Sequence, residues 1–86
     1  MVSKRNSIEN LMNIGPKVAE GLAEIGIETE YQLREMGAVE AFCRMRMVDP
    51  KWNHKMLLYA LHGALIGVNC LQLDEDIKRN LNEQVG

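Results

Sequence analysis

Leu11-Met12-Asn13-Ile14-Gly15-Pro16-Lys17-Val18-Ala19 carries the most specific local information in the chain. Pro16 has no N–H and a φ preset near the helical value, so it suits the first position of a helix and not the interior. Asn13 and Gly15 are residue types that tolerate unusual φ, and Ile14 between them is a natural buried anchor. The stretch predicts a tight bend over residues 13–16 that hands the chain from one helix to the next. Upstream, Ser7 is placed to cap a first short helix through Ile8, Leu11 and Met12. Downstream, Val18, Ala19, Leu22 and Ile25 recur on one face of a second helix, which Gly26 ends in left-handed conformation.

Helical periodicity continues toward the C-terminus. Thr29, followed by Glu30, Gln32 and Glu35, reads as an N-cap with acids in the first turns, and Gly37 closes that short helix. Ala38, Val39, Ala41, Phe42, Met45 and Val48 then recur at steps of three and four, with Arg44 and Arg46 on the outer side, until Asp49-Pro50 stops the helix. From Asn53 to Val68 the pattern is apolar nearly all round, as expected of a central helix covered by its neighbours. Gly63 and Gly67, four apart, leave room there for a close backbone approach. Asp74-Glu75-Asp76 opens a last helix with Ile77, Leu81 and Val85 facing inward. The aromatic residues Tyr31, Phe42, Trp52 and Tyr59 are scattered, without the β-branched clusters that mark strands. The expectation is an all-α, compact five- or six-helix domain with a long central helix.

Composition bounds the function. At 86 residues, 47% apolar and 26% charged, the chain fits a single domain, residues 1–86, with a small core. Ten basic against twelve acidic residues give a net charge of −2, so a nucleic-acid site would have to be local. Two cysteines, Cys43 and Cys70, are far from a disulfide framework, and the polar N-terminus leads into no apolar signal region; both point to a cytoplasmic protein. The longest apolar stretch, Met56 to Val68, is broken by His62 and falls short of the roughly 20 residues of a membrane span.

The bend resembles a helix-hairpin-helix. N–H groups of Lys17, Val18 and Ala19 in the first turn of the second helix would lack intrahelical acceptors, and with the helix dipole they would form an anion pocket beside Lys17. Asn13, Gly15, Lys17 and Val18 are thus the candidate phosphate-binding residues, gripping nucleic acid without reading its sequence. As a bland alternative, the hairpin simply joins two helices. Asn13 stands where binding hairpins usually carry a second Gly, and Glu9, Glu20 and Glu24 offset Lys4, Arg5 and Lys17.

No chemistry of another kind is indicated. His54, His62, Cys43 and Cys70 lack the close ligand pairs of structural zinc sites, so no metal or cofactor is expected. Nothing resembles a nucleophile with an activating base, and the acids at 74–76 are accounted for by the helix dipole, which argues against an enzyme. His62 reads as a residue at the rim of the long helix. Trp52 is the candidate partner-binding residue if exposed, with burial against the long helix as the other outcome. The six methionines read as core filling or as an adaptable partner surface.

Four segments taken together resemble something narrower. They are Leu11-x-x-Ile14-Gly15-Pro16-Lys17; Gly26-Ile27-x-Thr29-x-x-x-Leu33; Gly37-Ala38-Val39-Glu40-Ala41; and Leu57-Leu58-Tyr59-Ala60-Leu61-x-Gly63-Ala64-Leu65-x-Gly67. In this order they are similar to the C-terminal domain of the TfoX (Sxy) competence regulators, over about residues 8–81. The resemblance implies a regulator of bacterial transformation that acts with the transcription machinery. It also implies that the full-length form carries an N-terminal domain ahead of this one, so that the chain reads as a standalone or truncated relative whose partner is a protein of the transcription machinery or a separate TfoX N-terminal-type domain. Cys70 stands where the family usually has a Trp after the long helix. The implied function is a non-enzymatic regulatory module that docks onto a protein partner with auxiliary, weak DNA contact, or self-associates as a homodimer; the alternative is a direct, sequence-independent DNA-binding module. No membrane partner is expected.

Overall fold

The computed structural model describes residues 8–85. Among them are five α-helices: α1 (Pro16–Glu24), α2 (Glu30–Met36), α3 (Ala38–Val48), α4 (Lys55–Ile66) and α5 (Glu75–Val85). Three single 3-10 turns, Ile8–Asn10, Pro50–Trp52 and Cys70–Gln72, complete the path. The expected first helix is therefore one 3-10 turn, with Leu11 N–H donating to Ile8 O. Only two residues, Leu11 and Met12, separate that turn from the bend, too few for a stable α-helix to form on its own. Ser7, its expected cap, lies outside the described residues.

Helix boundaries follow local chemistry. Pro16 is the first residue of α1. At the other end, Gly26 takes φ 88 while its N–H donates to Ala23 O and that of Ile27 donates to Leu22 O. That bond pair satisfies the last carbonyls of α1 and turns Ile27 into the core, where it is 1% exposed. Thr29 and Gln32 form a reciprocal capping box at the start of α2. Asp49 Oδ1 accepts from Lys51 N–H beyond the end of α3. α4 is shorter than expected because Gly67 leaves the helix in left-handed conformation, at φ 72. Asp74 Oδ1 receives Asp76 N–H at the opening of α5.

The middle of the domain is shared by α3 and α4 rather than held by the long helix alone. α3 packs on α1, α2, α4 and α5, and its Ala41, Phe42 and Met45 meet Leu57, Leu58 and Leu61 of α4 in the deepest part of the core. Val48, expected to face inward, is exposed, since the last turn of α3 runs past the core. Arg46, expected outside, is half-buried: its guanidinium lies 5.0 Å from the Phe42 ring centre and donates to Val85 O at 3.4 Å. A cation there meets the negative end of the α5 dipole and ties the last helix to α3. No helix among the described residues is long and apolar enough to cross a membrane.

Candidate functional site

The bend forms where the sequence places it, but its parts have different tasks from those expected. Asn13 alone takes the left-handed position, at φ 74. Gly15 has φ −94 and ψ −177, ordinary extended backbone, with open space where a Cβ would stand. Ile14 is the buried anchor at 5% exposure. The Asn13 side chain faces the protein: its amide nitrogen donates to Val68 O at 2.9 Å and Ala60 O at 3.4 Å, while its carbonyl oxygen accepts from Cys70 N–H at 3.0 Å.

Those three bonds join the bend to the far end of α4 and to the 3-10 turn after it. They also explain Gly63. A Cβ there would collide with Val68 O and come within 2.6 Å of Asn13 Nδ2, so only a glycine lets the returning chain and the Asn13 amide lie against α4. Gly67, expected to share this role, serves instead as the helix terminator. Cys70 and Cys43 are half-buried free thiols.

Of the expected phosphate-binding set, Asn13 is committed to internal bonds. Ala19 N–H is also used, donating to Gly15 O at 2.9 Å. What faces outward is the Gly15 backbone, with the N–H groups of Lys17 and Val18 in a first turn that carries no side-chain cap and no acid. Lys17 is exposed; Val18 is half-buried against the core. α4 has a comparable opening: Lys55 is its first residue, its first turn has no acid, and the N-cap is His54, whose Nδ1 accepts from Leu57 N–H at 3.3 Å. α2, α3 and α5 instead carry Glu30, Glu40, and Glu75 with Asp76 in their first turns, the arrangement that complements a helix dipole.

Trp52 is 8% exposed, which places it in the core and not on the surface as a partner anchor. The 3-10 turn after Asp49 aims the indole at α1, where a Cβ on Gly21 would lie 2.7 Å from Trp52 Cζ2 and 2.6 Å from Met45 Cε. Gly21, not singled out from the sequence, is the opening the indole fills.

Sequence reading also missed a surface groove, which forms only when distant segments meet. A depression of about 760 Å³ lies between the α2–α3 corner, α4 and α5, with Met36, Val39, Leu65 and Ile77 among its apolar walls and His62 at its side. A second, of about 490 Å³, is lined by Ile27, Tyr31 and Glu35 and shares Met36 and Glu40 with the first.

Comparison with solved structures returns two close matches. One is the crystal structure of an uncharacterized protein from Listeria monocytogenes in a triclinic form, 35% identical over 91% of this chain and 88% of the other, with a TM-score of 0.84. The other is a protein of unknown function from the same organism in a tetragonal form, 37% identical over 87% of this chain and 91% of the other, with a TM-score of 0.77. No curated protein matches. The family model of the TfoX C-terminal domain matches residues 4–85, spanning the bend, the α3–α4 pair and the closing helix, and the chain belongs to that family.

Proposed function

We propose that the chain is a non-enzymatic regulatory module of the competence-regulator type, working in the cytoplasm by docking onto a protein partner. The partner is a component of the transcription machinery or a TfoX N-terminal-type domain on another chain. Family membership over residues 4–85 supports the regulatory class. The observation that favours protein docking over a phosphate grip is the fate of Asn13: the tip of the bend directs its amide into the fold, leaving two backbone amides and one lysine outside. A site that neutralises one or two phosphates gives weak, salt-sensitive affinity by itself.

DNA contact is auxiliary in this reading. It is favoured by one specific feature, the acid-free first turns of α1 and α4 with Lys17 and Lys55 beside them. Capture on the tagged chain from its native cytoplasm at about 0.15 M salt, where exposed charge contacts are largely screened, tests the docking role. A discrete transcription-machinery protein or TfoX N-terminal-type domain is the expected catch; capture of duplex DNA alone would sink it. A duplex titration from about 50 mM salt upward isolates the auxiliary contact: weak binding that fades with salt and drops in Lys17→Glu is expected. Absence of binding at the low-salt end removes DNA from the account.

A further inference from the structure

We propose that α5 is a strap: it undocks from α3 and α4 and unwinds as one unit while the rest of the domain stays folded, and in doing so it bares Tyr59 and the apolar wall of Val39 and Leu65. The inference goes beyond the docking reading and does not depend on it, since α5 can open whatever the module binds. α5 packs on α3 and α4. Over Glu75–Val85 only Leu81 is fully buried, with Ile77 and Val85 half-buried against the core. α3, of the same length, buries Ala38, Ala41, Phe42 and Met45, and α4 buries Leu57, Leu58, Leu61 and more. Apolar area removed from water is the main force holding a helix in place, so α5 is the least firmly held of the three.

Polar contacts add few tethers. Arg46 donates to Val85 O at 3.4 Å, Asn82 Nδ2 donates to Tyr59 OH at 3.0 Å, and Lys78 Nζ stands 5.6 Å from the Tyr59 ring centre. The ion pairs of α5, Lys78 with Glu75 and Arg79 with Asp76, lie within the helix and fasten it to nothing else. Asn82 Oδ1 is buried with no hydrogen-bond partner among the described residues, a cost of the closed state that hydration on opening removes. Along one flank the fit is incomplete: the depression of about 760 Å³ separates Ile77 and Leu81 from Val39 and Leu65. Side chains facing such a gap forfeit part of their dispersion contacts.

The chain before α5 places the pivot. Asn13 holds Val68 O and Cys70 N–H, which fixes the start of the connection to the first bend. Leu73, 6% exposed, pins its end, in extended conformation immediately before Asp74. Neither anchor uses α5. The same holds for the centre of the core, where Phe42 and Met45 meet Leu57, Leu58 and Leu61, and for Trp52 beside Gly21. A helix as short as Glu75–Val85 is marginal by itself in water, so α5 loses its backbone bonds once it leaves this surface.

Amide hydrogen exchange on the full chain, in urea well below its unfolding transition, tests this. The amides of Arg79 to Glu83 are expected to exchange together, about tenfold or more faster than the slowest amides of α3 and α4, with a shared urea dependence smaller than theirs but not zero. Asp49→Ala touches no α5 contact; it should speed the slowest α3 and α4 amides about twofold or more and leave α5 unchanged, because the Asp49 cap persists while α5 is open. Arg46→Met keeps an apolar stem beside Phe42 but drops the bond to Val85 O, and should speed α5 several-fold. An α5 response to Asp49→Ala equal to that of α3, or a urea dependence matching that of α3 and α4, would show a single cooperative unit and overturn the proposal. Protection that falls residue by residue toward Val85 with no urea dependence would also overturn it, as fraying of a chain end. So would α5 exchange that Arg46→Met leaves unchanged. The docking role is read by partner capture and stands or falls separately.

Discussion

Two proline bends direct this chain, and they use the same kind of side chain in opposite ways. At Asp49-Pro50 the acid acts locally: its carboxylate accepts Lys51 N–H two residues on and starts the 3-10 turn that carries Trp52 inward. Before Pro16, Asn13 does nothing for the helix that follows, and α1 begins with no side-chain cap. Its amide reaches Ala60, Val68 and Cys70 instead, positions 47 to 57 residues away. A short polar side chain beside a turn is thus either a local cap or a long-range clamp, and the partners within reach determine which. At the Asp49 bend free amides lie next door; at the Asn13 bend the end of α4 comes close enough, through Gly63, to take the side chain away from its own helix.

Substitutions can separate the two roles by size. The largest expected effect is at what the Asp49 bend delivers: Trp52→Ala empties the space beside Gly21 and Met45 and should cost about 3–5 kcal/mol in denaturant unfolding. A loss under about 1 kcal/mol would show that the indole is not part of the core. Next is the clamp. Asn13→Ala leaves Val68 O and Cys70 N–H without this partner and puts a Cβ-bearing residue without a polar side chain at φ 74, for about 2–4 kcal/mol in all. Asn13→Gly relieves the backbone cost alone, so it should fall between wild type and Asn13→Ala; if the two variants are equal, strain contributes nothing and the hydrogen bonds carry everything.

Asp49→Ala removes one local cap and should cost about 0.5–1 kcal/mol in the same measurement. A value matching Asn13→Ala would erase the distinction between cap and clamp. The smallest effect has the opposite sign. Gly15→Ser supplies the cap that α1 lacks, at a residue already in extended conformation with open space around it, and should raise stability by a few tenths to about 1 kcal/mol in thermal unfolding. A drop instead would mean that Gly15 is required for its conformation, as the sequence alone leads one to expect.

The position of α1 beside these bends also clarifies its exposed amides. In α2 the capping box of Thr29 and Gln32 uses the first N–H groups, and Glu30 offsets the dipole. α1 has neither device, which leaves Lys17 and Val18 as the outward remnant of the predicted phosphate grip. The depression beside α5 is lined largely by apolar side chains, and its acids Glu40 and Asp76 are ion-paired with Arg44 and Arg79.

Much of the architecture is legible residue by residue. Pro16 opens a helix, Gly26 closes it, Thr29 caps the next, Asp49-Pro50 stops the one after, and Asp74 begins the last, because each of these acts through bonds to neighbours a few residues away. The family too is readable from the order of four short motifs. Some misreadings come from a distant contact and others from the local sequence. Arg46 turned inward because the end of α5 lies beside it, and Gly15 proved unstrained because Asn13 took the left-handed position.

By itself, then, the sequence determined the helices, their caps and the place of the bend, since backbone dihedrals and first-turn hydrogen bonds are set by adjacent residues. Only the tertiary structure decided what the Asn13 amide holds, which gap Trp52 fills and where a largely apolar depression stays open. Those outcomes depend on which distant surfaces meet, and a side chain's hydrogen bonds go to whatever polar group packing brings within about 3 Å.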